Sequence, residues 1–269
     1  MSLPLIYSKH GAVAEVALNR PAARNALTPE MLCRLADAVI DFAADDSLRA
    51  MILRAEGEQA FCAGGDLALT IPLMTGGRPP ADEWDRRVLE DPVVMAASSL
   101  RDYPLHKPVI AAIQGACFAG GFEIMLGTDI RIAAEHATFC LPEVKRGVIP
   151  FAGSLVRLPR QIPYCRAMEF LLTGDPLPAT EALQLGLINQ VLPAAAVLPR
   201  ARELAAKIAA NGPLAVQRVK RTVVEASGRP LEDGFRLEDE SKRIVLASED
   251  AQEGPRAFME KRAPRFSGR

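Results

Sequence analysis

Two glutamates beside glycine-rich or proline-containing turns are the residues of this sequence best suited to chemistry. Glu123 ends the run Gly115-Ala-Cys-Phe-Ala-Gly-Gly-Phe-Glu123, and Glu143 ends the run Thr138-Phe-Cys-Leu-Pro-Glu143. Two carboxylates can act as general acid and general base when their surroundings differ. Each also has a simpler explanation, because an acidic residue in a first helical turn complements the helix dipole and a loop carboxylate is commonly solvated.

The glycine-rich turns could supply backbone amides to an oxyanion. One turn is Phe61-Cys-Ala-Gly-Gly-Asp-Leu67, and the other opens a predicted helix over residues 121–127. Glycine allows close approach of a ligand, and a helix N-terminus presents unpaired N–H groups. Such a donor is typically worth about 2.7–4 kcal/mol to an oxyanion. A tight turn without a ligand is the alternative, and neither turn matches a dinucleotide fingerprint or a P-loop.

Composition argues against several other classes of protein. The 32 basic and 33 acidic residues leave a net charge of -1, which offers no basic excess for nucleic acid. We therefore expect no nucleic-acid partner. No apolar run approaches the roughly 18 residues of a membrane span, and the N-terminus has no signal-peptide pattern, so we expect no membrane partner.

Cysteine and histidine usage points to no metal site. The three histidines are far apart and no C-x-x-C occurs, which predicts neither a metal site nor a disulfide framework. Five widely spaced cysteines favour a reducing compartment, and we expect a cytoplasmic location.

The elements that must position the glutamates alternate between strand-like and helical patterns up to Pro193. Thr28 and Pro29 fit the N-cap and first position of a helix. Short apolar runs predict strands over residues 11–18, 50–54, 109–113, 130–133 and 137–140. Strands with interposed helices indicate an α/β fold.

The chain changes character after Pro193. Amphipathic patterns there predict helices over residues 197–210, 213–227, 231–247 and 251–261. We therefore divide the chain into a core domain, residues 1–193, and a helical region, residues 194–269, whose apolar faces cover the core or a neighbouring subunit. The segment 70–103 is predicted as a loop leading into a helix over 91–100, either a lid or a surface insertion.

Several motifs in order show that the chain resembles the crotonase, or enoyl-CoA hydratase/isomerase, superfamily over essentially its whole length. The motifs are Leu18-Asn-Arg-Pro-Ala-Ala-Arg-Asn-Ala-Leu27, Phe61 to Leu67, Lys107 to Gly115, Gly120-Gly-Phe-Glu123, Asp129 to Ala134, Leu141-Pro-Glu143, Leu172-Thr-Gly174, Ala182 to Val191 and Phe258 to Arg262. The resemblance implies a ClpP-like fold of repeated ββα units, with a helical C-terminal region that packs in trimers or in dimers of trimers.

The resemblance also implies roles for individual residues. The amides of Gly65 and Gly120 would bind the thioester oxygen of an acyl-CoA substrate. Coenzyme A would enter as part of that substrate, with no separate cofactor. The residues implied along coenzyme A are Arg24, Ala26, Ala63, Gly64, Gly65, Asp66 and Leu67. Lys261 either reaches the coenzyme A of an adjacent subunit or is an exposed charge at the end of a helix.

Retention of both carboxylates favours hydration of a 2-enoyl-CoA, or the reverse dehydration. The resemblance assigns Glu143 to the Cα proton and Glu123 to the water. A double-bond isomerase and a crotonase-like binding protein are the alternatives, because this scaffold hosts many chemistries.

The acyl-side residues depart from the family pattern. Phe151 and Ser154 stand where glycines are frequent, and Phe151 could narrow the acyl pocket or turn away from it. Four residues of the segment 70–103 could contact the acyl group or pack only within that segment: Leu73, Met74, Trp84 and Met95. The acyl chain is therefore left open among straight, branched and polar groups.

Overall fold

A computed structural model describes residues 3–269 and contains ten strands and twelve α-helices over that range. In chain order the strands β1 to β10 are Leu5–His10, Val13–Leu18, Ala50–Ala55, Ala60–Cys62, Val109–Ile113, Ala116–Phe118, Ile130–Ala134, Thr138–Cys140, Leu177–Pro178 and Gln190–Leu192. The helices α1 to α12 are Pro29–Ala44, Thr70–Met74, Glu83–Glu90, Pro92–Ser98, Gly120–Leu126, Ser154–Gln161, Tyr164–Thr173, Ala179–Gln184, Ala194–Ala209, Pro213–Ala226, Leu231–Leu246 and Glu249–Met259.

The strands form two sheets. The larger sheet has the order β1-β2-β3-β5-β7-β10 and is parallel except for the β1–β2 pair. The smaller sheet has the order β4-β6-β8-β9, and β4, β6 and β8 run parallel. Three successive strand pairs each send their first strand to the larger sheet and their second to the smaller one. This alternation is the repeated strand–strand–helix order that the resemblance implies.

Burial explains why the central strands could be predicted from the sequence, because a strand buried on both faces consists of apolar residues. All five residues of β5 are buried apolar residues, as expected for a parallel strand covered on both faces. The Thr28 hydroxyl accepts the Met31 amide at 3.2 Å, which confirms the predicted N-cap of α1. In addition, α9 buries Val197 and Ala201 and packs against β3, β5 and β7.

The five predicted strands are confirmed as β2, β3, β5, β7 and β8, but five further strands were missed. Four of the missed strands have only two or three residues, too few for an alternating pattern to show. The fifth, β1, is an edge strand with polar residues in its second half.

The prediction of a loop over the first part of the segment 70–103 was wrong. That part contains the helices α2 and α3. The helix predicted over 91–100 is confirmed as α4. The Asp82 carboxylate accepts the Asp85 amide at 2.9 Å and so begins α3. Asp85 in turn pairs with Arg78 at 2.7 Å, and this pair closes the preceding turn.

The four C-terminal helices agree with their predicted positions within three residues at each end. α10 and α11 pack against each other, yet neither contains a buried residue. Their exposed apolar side chains include Val219, Val223, Leu231 and Phe235. Over residues 3–269, no helix combines the length and hydrophobicity needed to cross a membrane.

Candidate active site

Three neighbouring strands of the smaller sheet deliver the candidate residues to one edge. β4, β6 and β8 are parallel, so their carboxyl ends emerge side by side. Gly64 and Gly65 follow β4, Gly120 follows β6 and begins α5, and Glu143 follows β8. Residues nearly eighty positions apart in the chain are thereby brought to one cavity.

The two glycine-rich turns pack directly against each other. A Cβ built on Gly64 would stand 2.5 Å from the Cβ of Ala119, and one built on Gly121 would stand 2.5 Å from the Cβ of Cys62. Gly64 also has a φ of +96°. Glycine is therefore required at both positions by the close approach of the two backbones.

The packing of these turns leaves the amides of Gly65 and Gly120 side by side. A Cβ on Gly120 would lie 3.7 Å from the Gly65 nitrogen. Within residues 3–269, neither amide donates to a protein acceptor. Ala119 turns the chain from β6 into α5 with φ 50° and ψ -126°, a conformation that costs a non-glycine residue of order 1–3 kcal/mol. The two amides together can receive one oxyanion.

A second loop joins the first turn and extends this surface. The Ala63 amide donates to the Arg24 carbonyl at 3.0 Å, and the Leu27 amide donates to the Gly64 carbonyl at 2.8 Å. Asn25 holds the loop from inside, because its buried side-chain amide donates to the Ala60 carbonyl at 2.9 Å. The residues implied along coenzyme A lie on two short stretches, Arg24 to Ala26 and Ala63 to Leu67. These backbone bonds join the two stretches into one continuous strip beside the two amides, here called the CoA strip.

The members of this strip differ in what their side chains can contact. Arg24 and Leu67 are exposed, whereas the Asp66 carboxylate is buried and already bonded. Asp66 accepts two loop amides at 3.0 and 3.1 Å and the Arg20 guanidinium at 3.0 Å. Burial tends to raise the pKa of Asp66, but these donors outweigh it and lower the pKa. The Asp66 side chain thus shapes the loop, and Lys261 is exposed beyond α12 without lining the cavity.

Glu123 is buried in α5 and bonded through one oxygen. Its Oε1 accepts the Ala152 amide at 2.7 Å, the Ser154 amide at 3.2 Å and the Ser154 hydroxyl at 3.0 Å. Burial raises the pKa of Glu123, and these donors oppose that rise by stabilising the ionised form. Among the described residues, no donor bonds to Oε2, which leaves that oxygen for a ligand.

Glu143 has the opposite environment. It begins a short 3-10 helix, Glu143–Arg146, and its buried Oε2 has no hydrogen-bond partner within residues 3–269. Burial raises the pKa of Glu143 to about 7, with the negative charge of Glu123 adding to the rise, while its own amide and Arg146 oppose it. A carboxyl group in this setting holds a proton near neutral pH and can donate it.

A cavity of about 280 Å³ joins the two carboxylates to the two glycine amides. Most of its remaining wall is apolar and includes Leu32, Ile71, Met74, Met95, Ile124 and Phe151. Phe151 is 48% exposed, so it lies at the mouth of the cavity. The cavity can accept an apolar group attached to a carbonyl that reaches the amides.

Two of the four predicted acyl contacts do not reach this cavity. Met74 and Met95 line it, but Leu73 is buried in the core. Trp84 packs against the core, and the Arg34 guanidinium carbon lies 5.2 Å from the centroid of the Trp84 ring. Of the two alternatives left open by the sequence, Leu73 and Trp84 therefore match packing, whereas Met74 and Met95 match contact with the cavity.

The contact between Ser154 and Glu123 was missed at the sequence level. The only signal was a serine where related chains often have glycine. Its partner lies 31 positions away on another helix, and no local pattern links the two. Within the described range, no cluster of three or more His, Cys, Asp or Glu residues could hold a metal ion.

Comparisons with known proteins found similar chains and structures over nearly the whole length. The family model described as enoyl-CoA hydratase/isomerase matches residues 8–269. The enoyl-CoA hydratase EchA19 of Mycobacterium tuberculosis is 42% identical over 98% of this chain and 96% of its own length. The carnitinyl-CoA dehydratase of Citrobacter koseri is 37% identical over the full length of both chains. The crystal structure of an enoyl-CoA hydratase from Mycobacterium tuberculosis has a TM-score of 0.88 at 37% identity, covering both chains fully.

Proposed function

The chain belongs to the enoyl-CoA hydratase/isomerase family and has the crotonase fold, and from this premise we propose that it hydrates a 2-enoyl-CoA thioester or dehydrates the corresponding 3-hydroxyacyl-CoA. The proposal agrees with relatives named as an enoyl-CoA hydratase and a carnitinyl-CoA dehydratase. Which acyl group is processed, and in which direction, is decided by experiment.

The observation that carries the proposal is the unequal bonding of the two carboxylates. Glu123 receives three hydrogen bonds on one oxygen, which favours its ionised form. Glu143 has a buried oxygen without a donor and a pKa raised to about 7, which favours its protonated form. Hydration requires one base and one acid at the same double bond, and this pair supplies both.

The proposed steps follow from this arrangement. The Gly65 and Gly120 amides bind the thioester oxygen, so negative charge that develops there is stabilised. Glu123 takes a proton from water as the water oxygen forms its bond to Cβ. The electron pair of the double bond moves toward the thioester, and Cα receives the proton of Glu143. Water is thereby added across the double bond, and proton exchange with solvent restores both carboxyl groups.

Dehydration uses the same groups in the opposite order. Glu143 removes the Cα proton, and Glu123 returns a proton to the departing hydroxyl group. Double-bond isomerisation would also use the amides, but it involves no gain or loss of water. A binding protein without turnover is the remaining alternative, but binding alone would require neither the pair of carboxylates nor the two adjacent amides.

We further propose that the CoA strip, formed by residues 24–26 and 63–67, binds the nucleotide and pantetheine of coenzyme A. Lys261 of an adjacent subunit contributes to the same binding. The exposed apolar side chains of α10 and α11 support assembly into a trimer or a dimer of trimers. A cytoplasmic location is supported by the five unpaired cysteines, four of which are buried thiols.

A mass-spectrometric turnover screen tests the proposed function. The purified protein is incubated with a panel of short, branched and polar 2-enoyl-CoA and 3-hydroxyacyl-CoA thioesters, and 3-enoyl-CoA thioesters test for isomerisation. We expect at least one thioester to gain or lose one water, and Glu143→Gln to abolish this while CoA-ester binding persists. Glu232→Gln, at an exposed helix position, is the matched control. Conversion without a change in mass would replace the proposal with isomerisation, and unchanged turnover in Glu143→Gln would overturn the assignment.

A further inference from the structure

Ser154 contacts Glu123 and follows closely after Phe151 and Ala152, two residues that line the cavity. It is the first residue of α6 and is completely buried. Its hydroxyl lies 3.0 Å from Glu123 Oε1, and its amide lies 3.2 Å from the same oxygen. Gly153 precedes it with a φ of +120°, a conformation suited to glycine, and so turns the start of α6 toward Glu123.

The loop that carries Ser154 is fastened on its outer side. The Arg101 guanidinium donates to the Phe151 carbonyl at 2.8 Å. The Arg157 guanidinium, one turn into α6, donates to the Leu100 carbonyl. These contacts connect the loop to the end of α4, so Ser154 approaches Glu123 from a supported position.

Convergence of three donors on one carboxylate oxygen has a chemical consequence. Oε1 is occupied by protein donors, whereas Oε2 has no hydrogen bond among residues 3–269, and Glu123 lines the cavity. Hydrogen bonds to a charged carboxylate are stronger than those between neutral groups and fix its orientation. Of the three donors, only the Ser154 hydroxyl belongs to a side chain, so it alone depends on residue type at that position.

We propose that Ser154 is a positioning residue whose hydroxyl holds Glu123 Oε1, so that Oε2 faces the reacting water and Glu123 remains the proton acceptor of the carboxylate pair. The hydroxyl group acts through Glu123 and touches no reacting atom. The kinetic part of this proposal rests on the proposed function, whereas the effect on Glu123 itself does not.

The other charged groups around Glu123 are unchanged when Ser154 is replaced. Glu143 lines the same cavity from the 3-10 helix, and the charge of Glu123 contributes to the raised pKa of Glu143. Arg157 lies on α6, and Arg146 lines the same cavity beside Glu143. A shift in the titration of Glu123 after removal of the hydroxyl group therefore reports the lost hydrogen bond.

Ser154→Ala removes the hydroxyl and keeps the amide, and Ser154→Thr keeps both. With the substrate found in the screen, we expect Ser154→Ala to move the acidic limb of the kcat/KM profile upward by about one pH unit. At pH values below that limb, we expect kcat of Ser154→Ala to be about tenfold lower than kcat of the unmodified protein, with a smaller change in KM. Ser154→Thr should restore the limb. Ser248→Ala is the matched control, because Ser248 is a buried serine at the start of α12 that bonds only to backbone.

A second readout needs no turnover. Carbon-13 NMR of glutamate-labelled protein without substrate follows the Glu123 carboxyl, assigned by its absence in Glu123→Gln. We expect its titration to move upward in Ser154→Ala and to return in Ser154→Thr. If Ser154→Ala does not fold, Ser154→Gly is used in its place, because this variant also lacks the hydroxyl group. An unchanged Glu123 titration in the folded variant overturns the proposal, whereas failure of every thioester to react overturns only the proposed function.

Discussion

Gly121 lies so close to Cys62 that a Cβ built on the glycine would stand 2.5 Å from the Cβ of the cysteine and 2.8 Å from its carbonyl oxygen. The contact joins the end of β4 to the start of α5. It sets the distance between the two loops that carry Gly65 and Gly120, so the position of both amides depends on a pair of residues that bear neither.

Gly121→Ala is therefore expected to damage stability and activity together. The added methyl group must move backbone, and overpacking of this kind typically costs 1–3 kcal/mol. We also expect kcat to fall at least tenfold, because the oxyanion donors separate. Denaturant unfolding and turnover of the same samples measure both effects.

Gly234→Ala provides the control for that experiment. Gly234 lies inside α11, where an added Cβ would meet only Ala226 at an ordinary 3.5 Å. Alanine there should stabilise the protein by about 0.5–1 kcal/mol and leave kcat unchanged. Equal stability of Gly121→Ala and the unmodified protein would contradict the packing described for the two turns.

Glu143 should make stability depend on pH. Its pKa is raised to about 7 by burial, above the ordinary value of 4.5. Between these two values the native protein holds a proton that the unfolded chain has released, so the free energy of unfolding falls as pH rises. Above pH 7 the native state must bury the charge.

Glu143→Gln removes that charge, and we expect it to be more stable than the unmodified protein by about 1–2 kcal/mol at pH 8. The gain should shrink steadily toward pH 5. Unfolding titrations at several pH values measure it, with Glu232→Gln as an exposed control. A gain independent of pH would show that the pKa of Glu143 is not raised in the native protein.

Glu123 should combine a structural and a catalytic contribution that two substitutions separate. Its Oε1 accepts amides at the start of α6, so it acts as a cap for that helix. Glu123→Gln retains an oxygen acceptor there and should remain nearly as stable as the unmodified protein. Glu123→Ala should lose about 1–2 kcal/mol, since the cap is gone.

Both substitutions should abolish turnover, because neither can accept a proton from water. Thermal unfolding and the turnover assay together decide the matter. An active Glu123→Gln would reduce Glu123 to a helix cap and would favour isomerisation, which needs no base at the water.

The sequence predicted the larger sheet better than the smaller one, for physical reasons. β5 is a continuous apolar run that only a buried strand or helix explains, and its length favours a strand. β4 and β6 have three residues each and owe their existence to pairing across the sheet. Two of the three strands that deliver the site, β4 and β6, were therefore not resolved by local patterns, and only β8 was predicted.

Site residues divide in a similar way. The pairing of Gly65 with Gly120 and of Glu123 with Glu143 was expected from the resemblance and not from spacing, because each pair is formed by tertiary structure. The cap at Asp82 is a local signal for α3 in the sequence, because an acidic residue stands directly before the helix Glu83–Glu90. Ser154 had no such signal.

Isotope incorporation tests the central claim most directly. The unmodified protein and its Glu143→Gln variant are each given the enoyl-CoA substrate in water enriched in oxygen-18, and separately in deuterium oxide. The account predicts one oxygen-18 at Cβ and one deuterium at Cα with the unmodified protein, and neither label with Glu143→Gln. Deuterium uptake with a shifted double bond and no oxygen-18, or full labelling by Glu143→Gln, would contradict the account.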